Sequence, residues 1–185
     1  MTEIIHLTLD QLEQGLETIR TSPGDGGRLE YLVRRPRNEA REVLVSGELS
    51  LTDGLLGDNW KARGSSATPD GSAHPEMQLN LMNARAIALI AHTKDRWSLA
   101  GDQLFVDLDL SDVNLPPGTR LIIGSAVIEI TAIPHNGCRK FRDRFGVDAV
   151  KFVNSPVGKA LHLRGVNARV VQAGTIRVGD EIRKA

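Results

Sequence analysis

Apolar residues recur along this chain with two periods, helical and alternating. Leu9, Leu12, Leu16 and Ile19 fall at helical spacing. Thr8 with Gln11 three positions on has the form of a capping box, so residues 9–20 are predicted to be a helix with Gly15 as its weak point. Residues 28–35 alternate, with Leu29, Tyr31 and Val33 on one face, and residues 42–49 centre on Val43, Leu44 and Val45; both stretches are predicted strands. Residues 50–77 are polar and glycine-rich, longer than most loops in compact domains, and such loops are functional or disordered. Trp60 is costly to leave exposed without a partner, which favours a functional loop. A short strand over 78–82 then leads into a helix over 83–92, with Asn83 as its N-cap and Ile87, Ile90 and Ala91 on one face.

From residue 96 the pattern turns to β. Leu104, Val106, Leu108 and Leu110 alternate with Phe105, Asp107 and Asp109. Residues 120–123 and 126–133 read as a hairpin around Gly124-Ser125, a pair that suits a two-residue turn. A helical interlude follows, with Phe141, Phe145, Val150 and Phe152 on its apolar side and Gly146 as a stop. Residues 166–172 and 175–178 look like a second hairpin, and a last strand runs through Ile182. Gly101, Gly118 and Gly174 each stand just before a strand. Many short strands joined by tight turns favour a mainly β barrel with a few helices over a layered α/β fold.

The chain has 185 residues, which suits one domain. Lys+Arg and Asp+Glu balance at 23 each, which argues against non-specific nucleic-acid or membrane-surface binding as the main activity. With 4% aromatic residues, the core must rely on Leu, Ile, Val and Ala. The single cysteine can form no internal disulfide, and no signal peptide or membrane-spanning run is visible, so a cytoplasmic setting is expected. The glycines of residues 21–27 lack P-loop spacing. The aspartates around Asp107 lack the Gly and Glu of a calcium loop and more simply mark the solvent side of a strand.

That one cysteine, Cys138, lies in Pro134-His135-Asn136-Gly137-Cys138-Arg139-Lys140-Phe141. Pro134 and Gly137 predict a turn or loop. Arg139, Lys140, Arg142 and Arg144 follow, and positive charge favours the thiolate, the form that attacks electrophiles and binds soft metals. The other reading is an inert buried cysteine, since free cysteines are among the most buried residues. His135 could act on the thiol as base or cation, or be a loop residue held by backbone. The basic run is either a solvated helix face or an anion site. A structural zinc site would need about four ligands, and the remaining histidines are scattered.

The segment 101–182 resembles the MOSC domain, named for the C-terminal domain of molybdenum-cofactor sulfurases. The matching pieces are Gly101-Asp102-Gln103-Leu104, Leu115-Pro116-Pro117-Gly118-Thr119-Arg120-Leu121, Ile123 to Thr131, the Pro134–Phe141 run, Gly165 to Val171 and Gly174 to Asp180. Gly54-Leu55-Leu56-Gly57-Asp58 and Gln78-Leu79-Asn80-Leu81-Met82 extend the likeness to about residue 49. The expected organisation is therefore a MOSC domain over 49–185, with residues 1–48 as a helix and leading strands of the same globular unit. The resemblance implies a pyruvate-kinase-type β-barrel. It also implies that Cys138 corresponds to the family cysteine that carries sulfur as a persulfide or ligates molybdenum in a pterin cofactor. His135 would tune or orient it. Arg139, Lys140, Asn167 and Arg169 are candidates for holding the cofactor, from polarity and motif position. Family sulfurases add a pyridoxal-phosphate-dependent cysteine desulfurase, for which this chain has no room, so sulfur is expected from such a partner or a small thiol. Two further readings stay open: a molybdenum-dependent reductase of N-hydroxylated compounds, served by an electron-transfer partner, and a non-catalytic interaction module working through the Trp60 loop.

Overall fold

A computed structural model describes residues 5–185. Seven strands close into a barrel: β1 (Gly27–Arg34), β5 (Leu79–Asn83), β6 (Leu104–Asp107), β7 (Arg120–Ile123), β8 (Ala126–Ile130), β9 (Val166–Gln172) and β11 (Glu181–Lys184). Around the barrel the order is β1-β6-β5-β9-β8-β7-β11, and β11 pairs back onto β1. Only β5 and β6 run parallel; the other barrel pairs are antiparallel. Closure leaves the barrel strands no free edge. β1 is thus a barrel stave, flanked by β6 and β11.

The alternation of the strands explains two cores. Leu32, Leu81, Leu104 and Val106 point into the barrel with Leu29, Leu121, Ile123 and Ile128. Their neighbours Val33, Met82 and Phe105 point outward, yet are equally buried, because helices cover that face. The covering helices are α1 (Leu9–Gln14), α2 (Leu16–Arg20), α4 (Ala84–Ala91), α5 (Arg139–Phe145) and α6 (Val147–Asn154). Leu12, Ile87, Phe141, Phe145 and Phe152 supply their buried side.

Several predicted elements hold in detail. Thr8 and Gln11 form the capping box, and the Asn83 side chain caps α4 by accepting from the Ala86 N–H at 2.9 Å. The β7–β8 turn is Gly124-Ser125, with Ile123 paired to Ala126. Gly146 ends α5 at φ 92°. Gly15 divides the first helix outright into α1 and α2.

Three expectations need correction. The strand over 42–49 is two strands, β2 (Glu42–Leu44) and β3 (Ser46–Ser50), which leave for different sheets. The second hairpin does not exist: β9 lies between β8 and β5, whereas β10 (Gly174–Arg177) pairs with β3 in a small sheet completed by β4 (Gly54–Leu55). Gly174 turns the chain away there, packed so closely on Ser125 that a Cβ would sit 2.5 Å from its carbonyl carbon. The 50–77 stretch also carries structure of its own, and it buries Trp60, which opens α3 (Trp60–Arg63) and is 6% exposed. Trp60 therefore offers no surface to a partner.

Candidate functional site

One end of the barrel carries an unusual density of buried polar groups. The chain leaves β1 at Arg35, begins β5 at Leu79–Asn80 and approaches β6 through Asp102 and Gln103. The β1–β6 antiparallel and β5–β6 parallel registers bring these to one level, and Asn167 of β9 lies directly opposite Asn80.

Arg35 and Asp58 form a buried ion pair with Nη2–Oδ2 at 2.8 Å, and the same carboxylate accepts from the Arg35 and Trp60 backbone N–H groups. A charge inside a protein is tolerable only when paired and hydrogen-bonded this fully. Arg35 also donates to the Gly101 carbonyl at 2.9 Å and the Asn80 amide oxygen at 3.3 Å. Asn80 donates to Asn167 at 2.6 Å, and Asn167 donates to the Ile133 carbonyl at 2.9 Å. This chain of bonds ties the start of the 131–138 loop to the barrel end.

A second buried cluster joins it. Asp102, fully buried, lies between His135 (Nε2–Oδ1, 3.1 Å) and Arg164 (Nη1–Oδ2, 2.7 Å). Burial would raise the Asp102 carboxyl, but Arg164 and His135 outweigh it and hold the group below its ordinary range. For His135, burial and then the Arg164 charge favour the neutral ring, and Asp102 only partly opposes them, so its pKa is lowered. A neutral ring beside an ionised carboxylate has one arrangement: Nε2–H donates to Asp102, leaving the Nδ1 lone pair unprotonated. Arg164 also donates to the Ala100 carbonyl at 2.9 Å and lies 4.8 Å from the Phe141 ring.

Above these clusters opens a cavity of about 230 Å³, bordered by Cys138, His135 and Arg164. Six further cationic side chains line it, Arg35, Arg37, Arg41, Arg63, Lys140 and Arg144, with Glu39 and a few uncharged residues between them. Glu39 accepts from both Lys140 and Arg144, which hold its carboxyl below the ordinary range. Arg37, Arg41 and Arg63 have no carboxylate partner among the described residues. Burial and the neighbouring Arg144 and Arg35 lower the Arg41 pKa. Arg63, at the rim, is lowered by partial loss of water and by Arg35. Positive charge is in surplus here, and an anion would relieve it.

Cys138 is exposed and holds the N-cap position of α5, where its side chain makes no capping hydrogen bond. The basic run after it divides. Lys140 and Arg144 face the cavity, whereas Arg139 is 86% exposed and reaches toward Asp143 at 3.8 Å. Among the described residues no group of three or more His, Cys, Asp or Glu side chains could hold a metal ion.

The profile of the MOSC domain matches residues 71–183, more than half of the chain. The chain belongs to the MOSC family. No protein of curated function matches this MOSC sequence. Among solved structures it is similar to the YuaD protein of Bacillus subtilis, at 16% identity and a TM-score of 0.62, covering 84% of this chain and 93% of that one. It is also similar to YiiM of Geobacillus stearothermophilus, at 11% identity and a TM-score of 0.59 over 86% of this chain and 75% of that one. YiiM of Escherichia coli matches at 16% identity and a TM-score of 0.53, over 85% of this chain and 69% of that one. At such identities the likeness is one of fold.

The residues chosen from sequence do not all meet. Cys138, His135 and Lys140 border one cavity. Asn167 is wholly buried and braces the loop that carries His135. Arg139 does not line the cavity, and Arg169 is tied to Glu129 at 2.7 Å on the outside of β8 and β9. Sequence reasoning passed over Arg35, Arg37, Arg41, Arg63, Asp102 and Arg164. Arg35, Arg37, Arg41, Asp102 and Arg164 lie just past a strand or in a short connection and Arg63 closes the short helix α3, and nothing local in the sequence marks any of them for this site.

Proposed function

We propose that this MOSC protein holds the molybdenum cofactor in the cationic cavity, with the Cys138 sulfur as the protein's ligand to the metal. Domains of this family are associated with that cofactor. One observation carries the reading: a single exposed thiol at the edge of a cavity with surplus positive charge. The donor set fits. The cavity offers one thiol and, among the described residues, there is no cluster of three or more His, Cys, Asp or Glu side chains, so it suits a metal that arrives with most of its ligands already bound. Arg37, Arg41 and Arg63 would hold the anionic part, and Arg guanidinium suits phosphate-like groups through its forked donors. When bound, the cofactor supplies a thiophilic, redox-active centre. The chain's own part is to present the sulfur, to surround it with positive charge, and to hold the His135 ring, kept neutral by burial and the Arg164 charge, in one orientation through Asp102.

A second reading rests on the exposure of Cys138: a sulfur carrier whose thiolate takes the outer sulfur of a persulfide held by a cysteine desulfurase or by a small thiol, the donor leaving as its own thiolate. An open thiol is what such a donor would need to reach. A reductase acting on N-hydroxylated compounds would add to the first reading an electron donor supplied by a partner. Metal analysis of protein from a molybdenum-replete host separates these. Cofactor binding predicts near-stoichiometric molybdenum, lost in Cys138→Ser and reduced in Arg37→Glu with Arg63→Glu. Protein without molybdenum but with a Cys138-dependent persulfide would overturn the first reading in favour of the second. Neither species in wild type would overturn both.

A further inference from the structure

A larger cavity, of about 280 Å³, shares only His135 and Arg164 with the one that holds Cys138. It lies between the 131–136 loop and the segment from α7 (Pro156–Ala160) to the start of β9. Gly165 allows this approach: at φ 116°, an added Cβ would sit 3.2 Å from the His135 ring and 2.3 Å from the Leu81 carbonyl oxygen. Part of the wall is apolar, from Pro117, Ile133, Val153 and Val166.

The polar groups of this cavity are unevenly committed. Its one lining carboxylate, Asp112, faces His162 Nε2 at 2.9 Å, and the other nitrogen of that ring faces the Leu110 carbonyl at 2.8 Å. Thr131 donates to the Glu76 carbonyl at 2.7 Å. Two cationic donors remain. Lys159 Nζ has no hydrogen-bond or ion-pair partner among the described residues. Arg164 Nε is buried and without a partner, on a residue only 6% exposed. A buried donor left unsatisfied is costly, so a structure that keeps one invites an acceptor from elsewhere. A carboxylate would give Lys159 a counter-charge and Arg164 Nε the acceptor it lacks, the charge of Arg164 itself being met by Asp102.

We propose that this cavity is a second ligand site, taking a small organic carboxylate whose apolar body lies on Pro117, Ile133, Val153 and Val166. Its charged end meets Lys159 and Arg164. The site does not depend on the cofactor reading, because Cys138 takes no part in it.

Backbone amide NMR titration with benzoate, and with benzamide as its uncharged counterpart, tests this. Benzoate should shift the signals of Ala132, Gly158 and Lys159 with a Kd of about 1 mM or tighter, and benzamide should bind about tenfold more weakly. Lys159→Met should remove most of that preference for benzoate. Ala132→Trp, an exposed position on the cavity wall, should block both probes. Cys138→Ala should leave benzoate binding unchanged while abolishing molybdenum, so the two proposals fail separately. Equal binding of benzamide, shifts centred on Asn38, Glu39 and Cys138, or no shift up to about 10 mM benzoate would overturn the assignment.

Discussion

Asp102 holds two partners at once, and that double duty makes it the most exacting residue of the site. Its carboxylate, itself away from water, neutralises Arg164 and fixes the His135 tautomer. Removing one member of a buried charge pair strands the other, which costs about 3–5 kcal/mol. Asp102→Ala is therefore expected to lower unfolding free energy by about that amount in denaturant titration. The pH dependence has a definite sign. Unfolded, His135 titrates near 6.5 and Asp102 near 3.8; folded, both lie lower. As pH falls through 6.5, the unfolded chain takes up a proton that folded His135 resists, so stability drops; below 3.8 Asp102 adds a second loss. His6 is shifted the same way, so the diagnostic is the difference between wild type and His135→Gln. The variant should lose less stability than wild type between about pH 7 and pH 5, measured by thermal melts.

At the scale of elements, the helix α5 and the loop before it decide where the sulfur stands. Cys138 occupies an N-cap position without using its side chain to cap, and serine is a preferred N-cap residue. Cys138→Ser is thus expected to leave thermal stability within about 0.5 kcal/mol of wild type, or slightly above it. That makes it a chemical probe rather than a folding lesion. Asn83 shows the opposite case. It caps α4, and its amide donates to Ser22 Oγ and to the Leu108 carbonyl, each at 2.9 Å. Asn83→Ala removes a cap and leaves buried acceptors, so a loss of about 2 kcal/mol or more is expected from equilibrium unfolding. Elements of this kind were legible in the sequence because their signals are local: Thr8 with Gln11, Asn83 before an apolar run, Gly124-Ser125 between two strands. The false hairpin shows the limit of such signals. Ala173-Gly174 is an acceptable turn, but close packing on Ser125 sends β10 to β3, and nothing nearby in sequence encodes that contact.

For the whole molecule, barrel closure brings the site together. Arg35, Asp58, Asn80, Asp102, Arg164 and Asn167 are far apart in the chain, and only the β1–β6–β5–β9 registers gather them at one end. Cys138 and His135 could be singled out from sequence because a lone thiol near an imidazole is rare chemistry in a short span. The arginines could not, since a sequence rich in balanced charge gives no reason to prefer Arg63 over Arg169. Closure itself can be probed at Gly27, the residue of β1 that pairs with Ile182 of β11. A Cβ there would sit 2.3 Å from the Asp107 carbonyl oxygen, backbone that cannot yield cheaply. Gly27→Ala is expected to destabilise the protein by about 1–3 kcal/mol or more in thermal or chemical unfolding.

The central claim is that the Cys138 sulfur is a ligand to molybdenum. X-ray absorption at the molybdenum edge reads it directly, on wild type and on Cys138→Ser given the same cofactor supply. The account predicts a protein sulfur neighbour to molybdenum in wild type and no bound molybdenum in the variant. An unchanged sulfur shell in a variant that still binds molybdenum would contradict it.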